Sequence, residues 1–155
     1  MGVTCVEAID TVFVNGTLEE LTRDWYAQDE QGNVWYFGED AKRFENGVLV
    51  GTAGSWLAGV NGELPGILME ADPRVGDLYR QECLKGVAED MAEILSLDGI
   101  VSVPYGSFAG SVVTKDFSPL ERESVENKWY ARGVGLVKSM DIRGGLDTTE
   151  LVSVK

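Results

Sequence analysis

Apolar and polar residues alternate in short runs along most of this chain, and the runs are separated by dipeptides of Gly, Asn and Asp. In Asp24-Trp25-Tyr26-Ala27-Gln28 and in Val34-Trp35-Tyr36-Phe37-Gly38 the alternation sends rings to one side of an extended chain and smaller or polar groups to the other. Asn15-Gly16, Gly32-Asn33, Asn46-Gly47, Asn61-Gly62, Asp98-Gly99 and Gly144-Gly145 read as turns, because Gly and Asn tolerate the positive φ that tight hairpins demand. The segments 3–14, 18–29, 34–45 and 48–58 therefore predict four consecutive strands joined by brief hairpins. Later strands are expected at 100–105, 111–117, 128–137 and 150–154, with turns at Pro104-Tyr105-Gly106-Ser107 and Ser118-Pro119-Leu120. The hairpin tip at 29–33 places Trp25 and Tyr26 near Phe37 and Tyr36 across the ladder.

The segment 81–97 fits two patterns. Leu84, Val87, Ala88, Met91, Ile94 and Leu95 keep helical spacing among good helix formers, which predicts one short helix. Read as strands, 78–84 and 88–97 meet around Gly86 and the meander continues. The stretch 59–73, rich in Gly and Pro, is the longest irregular segment and a natural rim for a pocket. Taken together the pattern predicts a mainly β, single-domain chain, 1–155, an antiparallel meander curled into a barrel or half-barrel, lipocalin-like in architecture at most.

Composition narrows the chemistry by exclusion. The 155 residues contain no His, which removes Ser-His-Asp and Cys-His catalysis and His-ligated metal. The 13 basic and 26 acidic residues give a net charge of −13, a potential that repels nucleic acid and anionic lipid. No run is long and apolar enough for a membrane span, and Met1-Gly2 opens directly into folded-looking sequence. By itself this start reads as a cytoplasmic chain or as one whose leader has been removed. Cys5 and Cys83 suit either a disulfide or two free thiols. No cofactor and no metal site is expected: Asp24, Asp29, Glu30, Glu39 and Asp40 crowd two neighbouring strands, but their spacing is not that of an EF-hand, and 29–33 reads as a plain hairpin tip.

Four stretches resemble a group of poorly characterised, usually exported bacterial proteins. They are 24–40, with Asp24-Trp25-Tyr26-Ala27-Gln28-Asp29 and Gly32-Asn33-Val34-Trp35-Tyr36-Phe37-Gly38-Glu39-Asp40; 75–82 with 103–108; and Trp129-Tyr130-Ala131-Arg132-Gly133-Val134-Gly135-Leu136-Val137-Lys138. The resemblance implies a β-rich fold and a secreted, periplasmic or cell-envelope location, with a leader preceding Gly2. It brings no catalytic residues with it.

Without imidazole, proton transfer near neutral pH falls to carboxylates placed in apolar surroundings. Glu39 at the end of an aromatic strand, Glu82 beside Tyr79 and Arg80, and Glu89 and Asp90 in an apolar segment are the candidate catalytic acids. Trp25, Trp35, Tyr36, Trp56, Tyr79, Trp129 and Tyr130 are the candidate ligand-binding residues, since rings with a polar handle line pockets for small organic or carbohydrate-like ligands. The leading expectation is an exported, non-catalytic binding module. The alternatives are a cofactor-free acid/base enzyme and a structural envelope domain.

Overall fold

A computed structural model describes residues 2–154. Among them there is no helix, and twelve strands form two six-stranded antiparallel sheets. The chain divides into two compact units, one comprising residues up to Ala71 together with Arg80–Glu89, the other Asp72–Tyr79 together with the residues from Asp90 onward.

In the first unit, β1 (Val6–Val14), β2 (Thr17–Gln28), β3 (Val34–Glu45) and β4 (Val48–Gly51) follow one another across the sheet, while β5 (Trp56–Leu57) and β6 (Gly66–Met69) also pair with β3. Asn15 and Asn46 take φ near +51° ahead of Gly16 and Gly47, so each closes a two-residue hairpin as the dipeptides predict. At the β2–β3 tip the Asp29 carboxylate accepts from the backbone N–H groups of Gln31, Gly32 and Asn33, the Asn33 side-chain amide and the Trp35 indole N–H. Five donors on one carboxylate fix the turn and with it the register. Tyr26 then lies opposite Tyr36, as expected, but Trp25 lies opposite Gly38, because Phe37 is the extra residue of a bulge. Gly38 has φ +140°, and a Cβ there would sit 2.4 Å from the Trp56 carbonyl oxygen. Only glycine lets β5 approach this closely. The core of the unit is Tyr36, Trp56, Ala58 and Ala88, flanked by Tyr26, Phe37, Leu68 and Leu84.

The second sheet is a sequential meander, β12-β11-β10-β9-β8-β7, built from β7 (Leu78–Arg80), β8 (Met91–Val103), β9 (Gly106–Phe117), β10 (Val125–Ala131), β11 (Gly135–Arg143) and β12 (Thr148–Glu150). Val101, Ala131 and Val137 form a core cluster with Trp129 and Phe108 packed on it.

The mainly β meander expected from the sequence is therefore what the chain forms, but among the described residues each sheet stays open and no barrel closes. No helix forms at 81–97. Gly86, at φ +77°, turns the chain between Leu84 and Ala88, and β8 starts at Met91 with Ala92 and Ile94 fully buried between outward Glu93 and Leu95. Period two overrides the helical spacing once a neighbouring strand is available. Asp98-Gly99 is not a hairpin but an irregular stretch of β8, where a Cβ on Gly99 would sit 2.5 Å from Val113. The segment 128–137 is not one strand: Gly133 and Gly135, both at positive φ, fold it into the β10–β11 hairpin.

Candidate functional site

Two of the four candidate acids meet the candidate rings in the core of the first unit. The strand alternation that puts Tyr26 and Tyr36 on one face also places Asp24 there, two residues before Tyr26. Tyr26 and Tyr36 stack at 4.9 Å, and Trp56 meets Tyr36 edge-on at 5.4 Å. The Tyr36 hydroxyl donates to Asp24 at 2.5 Å and lies 3.1 Å from Glu39. The Trp56 indole N–H reaches the buried Glu82 carboxylate at 3.3 Å. Burial pushes the Asp24 carboxyl up, the Tyr36 hydrogen bond opposes that, and the negative charges of Asp10 and Glu20 push it further up. The Tyr36 phenol is raised far above its ordinary value by burial and by Glu39, so it stays a donor at any physiological pH. Tyr36 is only 7% exposed and Trp56 4%. These rings are packing surface first.

The remaining candidates are dispersed. Trp25 and Trp35 follow the alternation to the opposite face of the sheet, and the Trp35 indole is committed to Asp29. Glu89 accepts from the Gly86 N–H at 2.7 Å and pairs with Arg80 at 3.7 Å, which makes it a turn-fixing residue. Tyr79 is buried on β7. Trp129 and Tyr130 belong to the second unit, Trp129 in its core cluster. Near Tyr130, the mostly buried Lys128 pairs with Asp116 at 3.0 Å and with Glu126 at 2.9 Å. Burial works to lower the Lys128 ammonium, but the Tyr130 oxygen, Asp116 and Glu126 hold it above its ordinary value. Asp90 lines a small cleft there with Asp116, Glu126 and Lys128; burial raises its carboxyl, against a hydrogen bond from Ser118. The cleft's volume is about 70 Å³. At roughly 30 Å³ per water molecule that is room for a few waters, not for an organic substrate. Cys5 and Cys83 are unbonded thiols, the latter pushed up by burial.

The larger concavity lies where no ring was expected to line it. The tips of the β1–β2 and β3–β4 hairpins bound a groove of about 710 Å³. Val12, Val14, Phe44 and Val50 supply its apolar surface, and Glu20, Glu45 and Arg43 its charge, with Arg43 3.7 Å from Glu20. Of these residues none belongs to the aromatic motifs. The signal that could have found them is the pair of Asn-Gly dipeptides, since β2 and β3, each of 12 residues and paired antiparallel, end beside one another and bring the two tips together. No cluster of three or more carboxylate or thiol side chains among the described residues could hold a metal ion. No family model matches the chain, and neither a curated protein nor a solved structure is found to match it.

Proposed function

We propose that this protein is a binding module and that it takes a small organic or carbohydrate-like ligand in the hairpin-tip groove of its first unit. The observation that carries this reading is the groove itself: its volume falls within the range of about 300–1,000 Å³ usual for ligand sites, and its lining is amphiphilic. Valines and Phe44 offer an apolar wall, and the carboxylates of Glu20 and Glu45 accept hydrogen bonds from hydroxyl groups. Arg43 is two-thirds exposed and available as a donor to a ligand oxygen. The buried rings then act as the scaffold that holds β2 and β3 in register beneath the site. An exported, envelope-associated setting accords with the resemblance of the aromatic motifs.

The test is a nuclear magnetic resonance titration with a panel of disaccharides and small aromatic acids. Amide shifts confined to Val12, Glu20, Phe44 and Val50, lost in Phe44→Ala, are the expected result. Silence at those amides across the panel, with the chain folded, overturns the reading. A second reading, cofactor-free acid/base chemistry, draws on Asp24, whose raised carboxyl shares the Tyr36 hydroxyl with Glu39. It requires that Asp24→Asn abolish a turnover shown by the parent chain.

A further inference from the structure

The four ends of the two sheets are not alike. The second sheet ends in β7 and β12, each of three residues, and the first ends on one side in β4, β5 and β6, none longer than four. Short end strands are a common device against pairing with foreign chains. On its other side the first sheet ends in β1, nine residues long, with a single neighbour in β2 and all nine residues exposed. One row of its backbone N–H and C=O groups is used by β2; the other row faces solvent. Val6, Ile9, Val12 and Phe13 are each more than two-fifths exposed. The strand contains no Lys, Arg or Pro, the residues that usually blunt such an edge, and its bulge lies at Val12/Phe13, leaving 6–12 regular.

Charge selects what this edge would accept. Its only ionisable side chains are Glu7 and Asp10. Asp10 lies opposite Thr22, so Glu20 and Asp24, two positions either side on β2, share its face. The Asp10 and Glu20 charges both act on the Asp24 carboxyl, so the negative potential is concentrated on that face. A second copy of this chain is a poor fit: pairing β1 with itself brings acidic strands together with no basic residue on either, between two chains that each carry −13.

We propose that β1 is a docking edge for an extended, basic segment of another protein, which adds to the first sheet as a further strand. Its main chain takes the free row of β1, its Lys or Arg side chains lie toward Asp10, Glu20 and Asp24, and its apolar side chains cover Ile9 on the opposite face, where Glu7 already pairs with Arg23 of β2. This interaction goes beyond the groove reading and does not depend on it.

The probe is a synthetic peptide of alternating Val and Lys with the length of β1, compared with its Val/Glu counterpart and with a version carrying Pro at its centre. The Lys peptide should bind at least about tenfold tighter than the Glu peptide in about 20 mM salt, and most of that difference should vanish in about 500 mM salt. It should slow amide exchange at alternate residues of 6–11, outside the groove wall, and leave β12 unchanged. Asp10→Lys, an exposed change that leaves the fold intact, should cut the preference for the Lys peptide severalfold, and the Pro peptide should fail to bind. Three results would overturn the proposal: no protection of β1, equal binding of both peptides, or light scattering that shows a dimer dissolved by Ile9→Lys. The disaccharide titration reads Phe44 and Val50, so either idea can fail alone.

Discussion

Both units bury acidic groups beside a tyrosine, but they stabilise them in different ways. In the first, Asp24, Glu39 and Glu82 meet neutral donors, the Tyr36 phenol and the Trp56 indole, and Asp24 keeps a raised carboxyl. In the second, Asp116 and Glu126 are held by the Lys128 ammonium, and Thr114 adds a 2.5 Å hydrogen bond to Asp116. A neutral donor satisfies a lone pair without cancelling the charge, so the carboxylate remains open to protonation. A mostly buried cation offsets one of the two negative charges and ties three side chains into one arrangement. The difference teaches where chemistry can respond to conditions: Asp24, its carboxyl raised by burial, can take a proton in mild acid, while Lys128 keeps its charge through that range, and in the second unit the carboxyl that burial raises is Asp90, outside the ion pairs.

The Lys128 cluster should be the costlier to break. Lys128→Met leaves Asp116, only 5% exposed, without a counter-charge, and should destabilise the second unit by about 3–5 kcal/mol in urea unfolding followed by amide exchange in β9 and β10. Adding Asp116→Asn should restore much of that loss, because it removes the uncompensated charge. A single Lys128→Met effect under about 1 kcal/mol would mean that solvent, and not Lys128, neutralises the pair.

Tyr36→Phe keeps the stacked ring and deletes only the hydroxyl between Asp24 and Glu39. Its expected cost is about 1.5–3 kcal/mol, read by amide exchange in β2 and β3, since a hydrogen bond to a charged acceptor is lost in a buried place. The Asp24 carboxyl should also rise further, because the bond that lowers it is gone. Rescue of stability in the double variant with Asp24→Asn would separate the charge from the packing.

How much of this contrast could be read from the sequence depends on which interactions are local. The hairpins at Asn15-Gly16 and Asn46-Gly47, and the Tyr26–Tyr36 pairing, were legible because each depends on a few neighbouring residues and a period of two. The Phe37 bulge was not, since it answers to the approach of β5 toward Gly38, eighteen residues before Trp56. Tyr36 and Trp56 lie in the core. Ring content marks a strand face worth burying but not whether protein or ligand buries it. Lys128 is not legible in this way, because a lysine on a strand reads as solvated until the register sets it opposite Thr114 and diagonal to Asp116. The groove escaped because Val12 and Phe44 become neighbours only when two hairpin tips align.

The smallest expected effect is also the sharpest test of the contrast, because it is a matter of sign. The Asp24 carboxyl in the folded chain lies above its ordinary 3.8, so as pH falls from neutral the folded state takes up this proton before the unfolded state does. Stability of the first unit should therefore rise through that window, and the rise should be missing in Asp24→Asn. Asp29 acts in the opposite sense: its five donors hold it down at about 2, so its contribution is present above 3.8 and is lost as pH falls toward 2. The first unit should thus show a stability maximum in mild acid. Lys128 lies above its ordinary 10.5, so its contribution to the second unit is complete at every pH below that value and is lost only in strong alkali. Amide exchange read for the two units across the acid range should show a hump in β2 and β3 that Asp24→Asn flattens, with Lys128 contributing no slope in β9 and β10 and any rise there removed by Asp90→Asn. A first unit whose stability falls steadily from neutral pH, with the parent and Asp24→Asn in parallel, would show that Asp24 is solvated and that the two clusters do not differ in kind.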